Sequence, residues 1–173
     1  VYRSDLTPKQ WQLIKPHLPA EKPNGRPRKT DLREVINAML YISRSGCPWS
    51  MLPEGFPARS TVHDYFMAWR DDGTWDEILR VLREDIREKV GRNKTPSAAI
   101  MDSQSVKTAA VSECTGYDGA KQIKGRKRHI AVDVLGLLIA VVVHSAGIDE
   151  RSGAKLLMSK VFAIFPALLK VWA

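Results

Sequence analysis

The sequence has almost no cysteine, little histidine and no long apolar run, and each shortage closes off a class of function. Cys47 and Cys114 are the only cysteines; without a CxxC pair, neither a zinc site nor a disulfide framework is indicated, and a reducing cytoplasmic location is expected. His17, His63, His129 and His144 share no ligand spacing, so no histidine is assigned to a metal. The N-terminus is charged from Arg3 onward and has no apolar signal core, while the longest apolar run, Val134 to Val143, is too short to cross a bilayer. No membrane partner is expected. There is also no internal repeat and no low-complexity tract.

What is present is an ordinary globular composition with a basic excess. A chain of 173 residues can bury one good core, or a small helical domain plus part of a second; the patterning favours the latter. Lys and Arg outnumber Asp and Glu by 27 to 19, for a formal net charge of +8. Cations in excess favour polyanionic partners, because each one placed on a phosphate releases condensed counterions.

The first half reads as helices. In Leu6-Thr7-Pro8-Lys9-Gln10-Trp11, Thr7 is an N-cap, Pro8 the first helical residue and Gln10 the return arm of a capping box. Trp11, Ile14 and Leu18 share a face, and Pro19 is expected to help end the helix. After the basic Pro/Gly loop Pro23 to Lys29, a second helix starts near Thr30 or Asp31, carries Leu32, Val35, Ile36, Met39 and Leu40 and stops at Gly46. A compact apolar turn, Cys47 to Pro53, precedes a third helix capped by Ser60 and packed through Val62, Tyr65, Phe66 and Trp69. These helices suggest a helix-turn-helix with a long connector. Thr74-Trp75-Asp76-Glu77 reads as another capping box, opening a helix with Ile78, Leu79, Leu82 and Ile86 inward and Gly91 at its end.

Beyond Gly91 the pattern changes. Residues 92–97 read as a linker between a helical domain, 1–91, and a second domain, 98–173. Ala98 to Asp102 reads as a short buried strand and Ser112 to Gln122 as an exposed loop. His129 to Val134 and Leu137 to His144 form a hairpin about Leu135-Gly136. Asp149 is placed to cap a helix from Glu150 to about Phe162, with Leu156, Leu157 and Val161 inward, and Leu168 to Ala173 opens a further strand.

Asp102 closes the first strand of this second domain. A carboxylate leaving a central strand is held rigidly enough to bridge metal ions that sit roughly 4 Å apart in two-metal phosphodiester cleavage, and oxygen donors suit Mg²⁺ or Mn²⁺. On strand evidence alone, an Asp capping a turn is the competing account. Asp133, near the hairpin turn, and Asp149, a helix cap, are read as structural.

Met101-Asp102-Ser103-Gln104-Ser105-Val106-Lys107-Thr108, then Gly116-Tyr117-Asp118, then Gly125 to Gly136 resemble the opening of the catalytic domain of bacterial insertion-sequence transposases of the DDE class, insertion sequence 5 group. Leu6-Thr7 with Trp11, Gly25-Arg26-Pro27-Arg28, Gly46-Cys47-Pro48-Trp49 with Leu52-Pro53, and Ser60-Thr61-Val62 with Trp69 are similar to the helical domain preceding it. The resemblance implies an α+β chain: an all-α, helix-turn-helix-like DNA-binding domain followed by an incomplete RNase H-like α/β domain. It makes Asp102 the first acid of the triad, both catalytic and metal-binding. The second acid belongs to an Asp-Gly-Tyr-like motif after a strand and the third to a later helix. Neither motif occurs before Ala173, so this chain is expected to be catalytically incomplete and not to hold Mg²⁺ or Mn²⁺ stably by itself.

Double-stranded DNA, as element ends and target, is the expected partner, with a second copy or a complementing C-terminal fragment as further candidates. Arg26, Arg28 and Lys29, with Arg59, Thr61, His63 and Arg70 on the third helix, are candidates for recognising element ends; Lys124, Arg126, Lys127 and Arg128 are candidates for phosphate contacts. A solvated loop is the alternative for the second group. A DNA-binding regulator, the upstream product of a frameshifted gene, is the alternative for the whole chain.

Overall fold

The structure, a computed structural model, describes residues 2–21, 27–108 and 114–173. The chain divides into two compact units, Val1–Leu82 and Arg83–Ala173. The division falls inside a helix and not at residues 92–97.

In the first unit, α1 (Pro8–Ile14) starts as its capping box dictates: Gln10 N–H donates to Thr7 Oγ1 at 3.3 Å and Thr7 N–H to Gln10 Oε1 at 2.9 Å. It stops before Pro19. A 3₁₀ turn, Lys15–His17, contains Pro16, which has no N–H for the next α-helical bond. α2 (Leu32–Ser45) is capped by Asp31, whose carboxylate accepts from Arg33 N–H at 2.8 Å. α3 (Arg59–Asp71) has Ala58 at its N-cap and no side-chain cap, so Ser60 lies within the helix. α4 (Thr74–Lys89) is not opened by a Thr74 capping box either; Asp72 Oδ1 accepts from both the N–H and the hydroxyl of Thr74, at 2.9 and 2.6 Å.

Val35, Ile36, Met39, Val62, Trp69 and Ile78 form the core of this unit, while Leu40 and Phe66 lie at its exposed margin. Aromatic rings extend it: Trp69 meets Trp75 edge-on at 5.4 Å, and Tyr2 stacks on Phe56 at 5.0 Å. Among the described residues no helix is long and apolar enough to cross a membrane.

The second unit is built on a mixed five-stranded sheet. Its strands are β1 (Ala98–Lys107), β2 (Gly116–Asp118), β3 (Ile123–Asp133), β4 (Leu138–Ser145) and β5 (Lys170–Trp172). β3 is central: β1 pairs antiparallel along one edge, while β2 and β4 share the other. β5 pairs parallel with β1, Ala98 opposite Lys170 and Ile100 opposite Trp172. α5 (Glu150–Ile164) packs on β3 and β4 through Leu157 and Val161, and Leu156 is left half exposed.

Three sequence expectations change here. β1 runs five residues past Asp102 and is buried only on alternate positions, so Ile100 and Asp102 are exposed. Gly116 to Asp118 is a strand and not part of a loop. Ile86 is exposed, and the inward residues at the end of α4 are instead Arg83 and Arg87, each 4 % exposed. Their burial is possible because each guanidinium finds oxygens: Arg83 donates to Leu138 O at 2.9 Å, and Arg87 to Asn93 O at 2.6 Å and to the Asp133 carboxylate. Asp133 Oδ1 in turn accepts from Leu135 and Leu137 N–H across the hairpin turn, where Gly136 takes φ 78°.

Candidate functional site: a carboxylate cavity beside the first strand

Strand alternation fixes what each residue of the basic run can do. In the β1–β3 register, Asp102 lies opposite Ile130, Gln104 opposite Arg128 and Val106 opposite Arg126. Lys124, Arg126 and Arg128 thus project to the same side of the sheet as Asp102. Lys124 and Arg128 are exposed, and Arg128 donates to Gln104. Lys127 has the opposite phase and is only 3 % exposed. Its ammonium lies 3.2 Å from Asp118 Oδ2 and donates to Ile148 O, also at 3.2 Å. Lys127 is therefore spent inside the fold, away from any phosphate at the surface.

Asp118 organises that interior. Besides Lys127, its carboxylate accepts from Ser105 Oγ at 2.6 Å and from the N–H groups of Ala120 and Lys121 at 3.1 and 3.2 Å. The Ser105 hydroxyl, the Lys121 amide and the Lys127 charge hold its pKa well below the usual carboxylate range. The sequence had offered this residue only as part of Gly116-Tyr117-Asp118; two glycines give the network its closeness. A Cβ on Gly125 would sit 2.0 Å from Val106 O, and one on Gly116 2.1 Å from Ser145 Oγ.

Asp102 itself is exposed, and one oxygen, Oδ1, accepts from Ser103 N–H at 2.7 Å. It opens on a cavity of about 260 Å³ shared with Met101, Ser103, His129, Glu150, Ala154 and Ala173. Ser103 Oγ donates to Glu150 Oε1 at 3.1 Å, and Lys121 Nζ lies 2.8 Å from the same oxygen. Lys121, then Ser103, lower the Glu150 pKa, so the group is an anion at neutral pH. Asp149 caps α5, accepting from Ser152 N–H at 2.9 Å, which is the structural role expected of it.

Behind the cavity, His129 and His144 stack with ring centroids 5.0 Å apart. His144 Nδ1 is 2.8 Å from Ser145 O, so Nδ1 carries the proton, and the Nε2 atoms of both rings are buried without a hydrogen-bond partner. Burial, then the neighbouring His144 and Lys127, push the His129 pKa down.

In the helical unit the predicted DNA contacts are dispersed. Arg59, His63, Arg70 and Lys29 are exposed and Thr61 is half-buried. His63 meets Trp49 edge-on at 5.2 Å, and Arg70 pairs with Asp71 at 2.7 Å. Arg28 donates to Pro19 O and Ala20 O at 3.0 and 3.2 Å. Arg26 lies outside the described residues.

Comparison with known families accounts for both units. Residues 6–79 match the family described as transposase of the IS4/5 family, and residues 93–172 match the transposase DDE domain. The chain belongs to the insertion-sequence transposases of the DDE class. Among its relatives, uncharacterized protein y4sN of Sinorhizobium fredii is 32 % identical over 76 residues, 44 % of this transposase and 61 % of that protein. An uncharacterized 16.2 kDa protein of insertion element IS402, from Burkholderia cepacia, is 26 % identical over 112 residues, 61 % of this transposase and 75 % of that protein. No solved structure matches.

Proteins of the DDE class work with divalent metal ions, and the donors at Asp102 suit one: carboxylate oxygens, exposed, in a cavity roomy enough for a hydrated cation. Among the described residues no group of three or more His, Cys, Asp or Glu is placed to hold a metal.

Proposed function

We propose that this transposase binds the ends of an insertion element through its helical unit, Val1–Leu82, and that its sheet unit, Arg83–Ala173, contributes Asp102 to a metal-dependent site for DNA cleavage and strand transfer. The reading assigns α2 and α3 a helix-turn-helix role and gives the second unit an RNase H-like core, in keeping with the β4-β3-β1-β5 strand order and the parallel β5. The observation that carries it is the placing of Asp102. It is an exposed carboxylate on β1, at the rim of a cavity, and the parallel register leads β5 toward the same point. A residue continuing that strand would arrive beside Asp102, where a second acid could share its ion.

In this reading the residues divide the work. Asp102 would hold Mg²⁺ or Mn²⁺, which when bound supplies activation of the attacking oxygen and stabilisation of the leaving one. Ser103 N–H orients the carboxylate. Lys124 and Arg128, on the same side of the sheet, track phosphates without reading bases. Arg59, Thr61, His63, Arg70 and Lys29 are the contacts for element ends. With one triad acid among them, these 173 residues bind DNA and do not cut it.

The test is DNA binding by fluorescence anisotropy at several salt concentrations, with a nicking assay beside it. Affinity is expected to fall about 10³-fold or more as salt rises from roughly 50 to 200 mM, with Arg59→Ala and Arg70→Ala weakening it. Salt-independent binding would overturn the interface. Nicking in Mg²⁺ or Mn²⁺ that Asp102→Asn abolishes would show the site to be complete in these residues.

A further inference from the structure

Resting on the reading that Lys124 and Arg128 track phosphates, we infer that the sheet face opposite α5 binds DNA as a single, unpaired strand, with Tyr117 as the ring on which a base stacks.

Strand phase builds this face. Lys127, His129, Ala131 and Asp133 of β3 are buried toward α5, which packs on β3 and β4. Lys124, Arg126, Arg128, Ile130 and Val132 therefore turn the other way. The registers extend the face sideways: Tyr117 lies opposite Lys124, Val106 opposite Arg126, and Gln104 and Val143 flank Arg128. Tyr117 is 60 % exposed, whereas Asp118 beside it on β2 is 5 % exposed and spent in the interior. Val106 and Val143 are exposed as well.

Two properties of the face choose its occupant, and the first is charge. Over β1 to β4 its cations are Lys124, Arg126 and Arg128, and its one acid is Asp102, opposite Ile130 beyond the end of the row. Residues two apart on a strand stand about 6.8 Å apart, a step close to that between successive phosphates of one DNA strand. A second copy of the same face would set cations against cations. The second property is the exposed ring with its neighbouring valines. A duplex offers phosphates and groove edges, and its major groove admits a helix or a two-stranded ribbon, which a broad sheet face is not. Tyr117, Val106 and Val143 would meet no base there. An unpaired strand frees its bases, so one can lie on Tyr117 while the phosphates follow the row of cations.

The test is fluorescence anisotropy of the 173-residue protein with labelled oligothymidylate of about 12 nucleotides and with a duplex of the same length, circular dichroism confirming that each variant folds. Tyr117→Ala is expected to weaken oligothymidylate binding about tenfold and to leave duplex binding unchanged. Tyr117→Phe, which keeps the ring, is expected to bind as the parent does. Lys124→Gln and Arg128→Gln are each expected to lower the salt slope on oligothymidylate by about 0.7. If they do so while Tyr117→Ala changes nothing, or acts equally on the duplex, phosphate tracking stands and the single-strand assignment is overturned. If neither cation substitution alters binding to either DNA, the phosphate reading itself fails. A change in sedimentation on Tyr117→Ala, at unaltered DNA affinity, would give the face to a protein partner and overturn the inference.

Discussion

The two units are held together by different physics. The buried side chains of the helical unit are nearly all apolar, with Val35, Ile36, Met39, Val62, Trp69 and Ile78 in the middle and Asn37 and Thr74 as polar members. The sheet unit buries Arg83, Arg87, Ser105, Asp118, Lys127, His129, Asp133 and His144 beside its smaller apolar cluster. Apolar packing tolerates rearrangement at modest cost. A buried charge network does not, since losing one member strands the others without solvent or partner. The sheet unit is thus the more specific and the more easily broken.

The strongest way to break this comparison is to remove one charge from the Arg87–Asp133 pair, whose side chains are 5 % and 0 % exposed. Arg87→Met leaves Asp133 buried and unpaired and should cost the sheet unit about 3–5 kcal/mol. Chemical denaturation followed by hydrogen exchange of β3 and β4 would read the loss, while tryptophan emission reports mainly the helical unit, which holds Trp11, Trp49, Trp69 and Trp75 of the five. Equal loss in both units would end the distinction.

A smaller effect is expected at Gly153. A Cβ there would lie 2.2 Å from His129 Nε2 and 2.4 Å from His144 Nε2, and both rings are buried and stacked, so they have little room to yield. Gly153→Ala should cost about 1–3 kcal/mol by overpacking, with the loss confined to α5 and the strands under it. A neutral substitution would mean that α5 can lift from the histidine pair without penalty.

Acid sharpens the comparison most gently. The folded state depresses the His129 pKa below the ordinary value of about 6.5; the unfolded chain then binds more protons, so this contribution is full above that value and is lost as pH falls toward the folded one. In the helical unit, Glu77 is held down to about 2 by Arg80 first and His17 after it, so its contribution begins to fall only below the usual glutamate range. Between pH 7 and 5 the sheet unit should weaken before the helical one. Parallel loss in tryptophan emission and in sheet hydrogen exchange over that interval would refute it.

How much could be read in advance follows the range of the interactions involved. The Thr7–Gln10 capping box, the Asp31 and Asp149 caps and the Leu135-Gly136 turn involve residues within four positions of one another, and each was legible. That Asp102 lies on a strand was legible through the apolar run before it, though not that the strand continues to Lys107. Residues whose role depends on a distant partner were not. Lys127 looked like its neighbours Arg126 and Arg128 until the strand phase turned it inward. Ile86 looked like core until Arg87 met Asp133, and Ser103, Lys121 and Glu150 carried no signal because 29 and 47 positions separate their contacts.

The sequence by itself determined the helical first half, the strand and hairpin pattern of the second, the basic charge and the motifs that identify a transposase, because periodicity, caps and turns are local properties of a chain. Only the tertiary structure decided which cations face outward and which are consumed in the core. Those outcomes depend on strand register and helix rotation, which are fixed when distant segments bury their polar groups against one another.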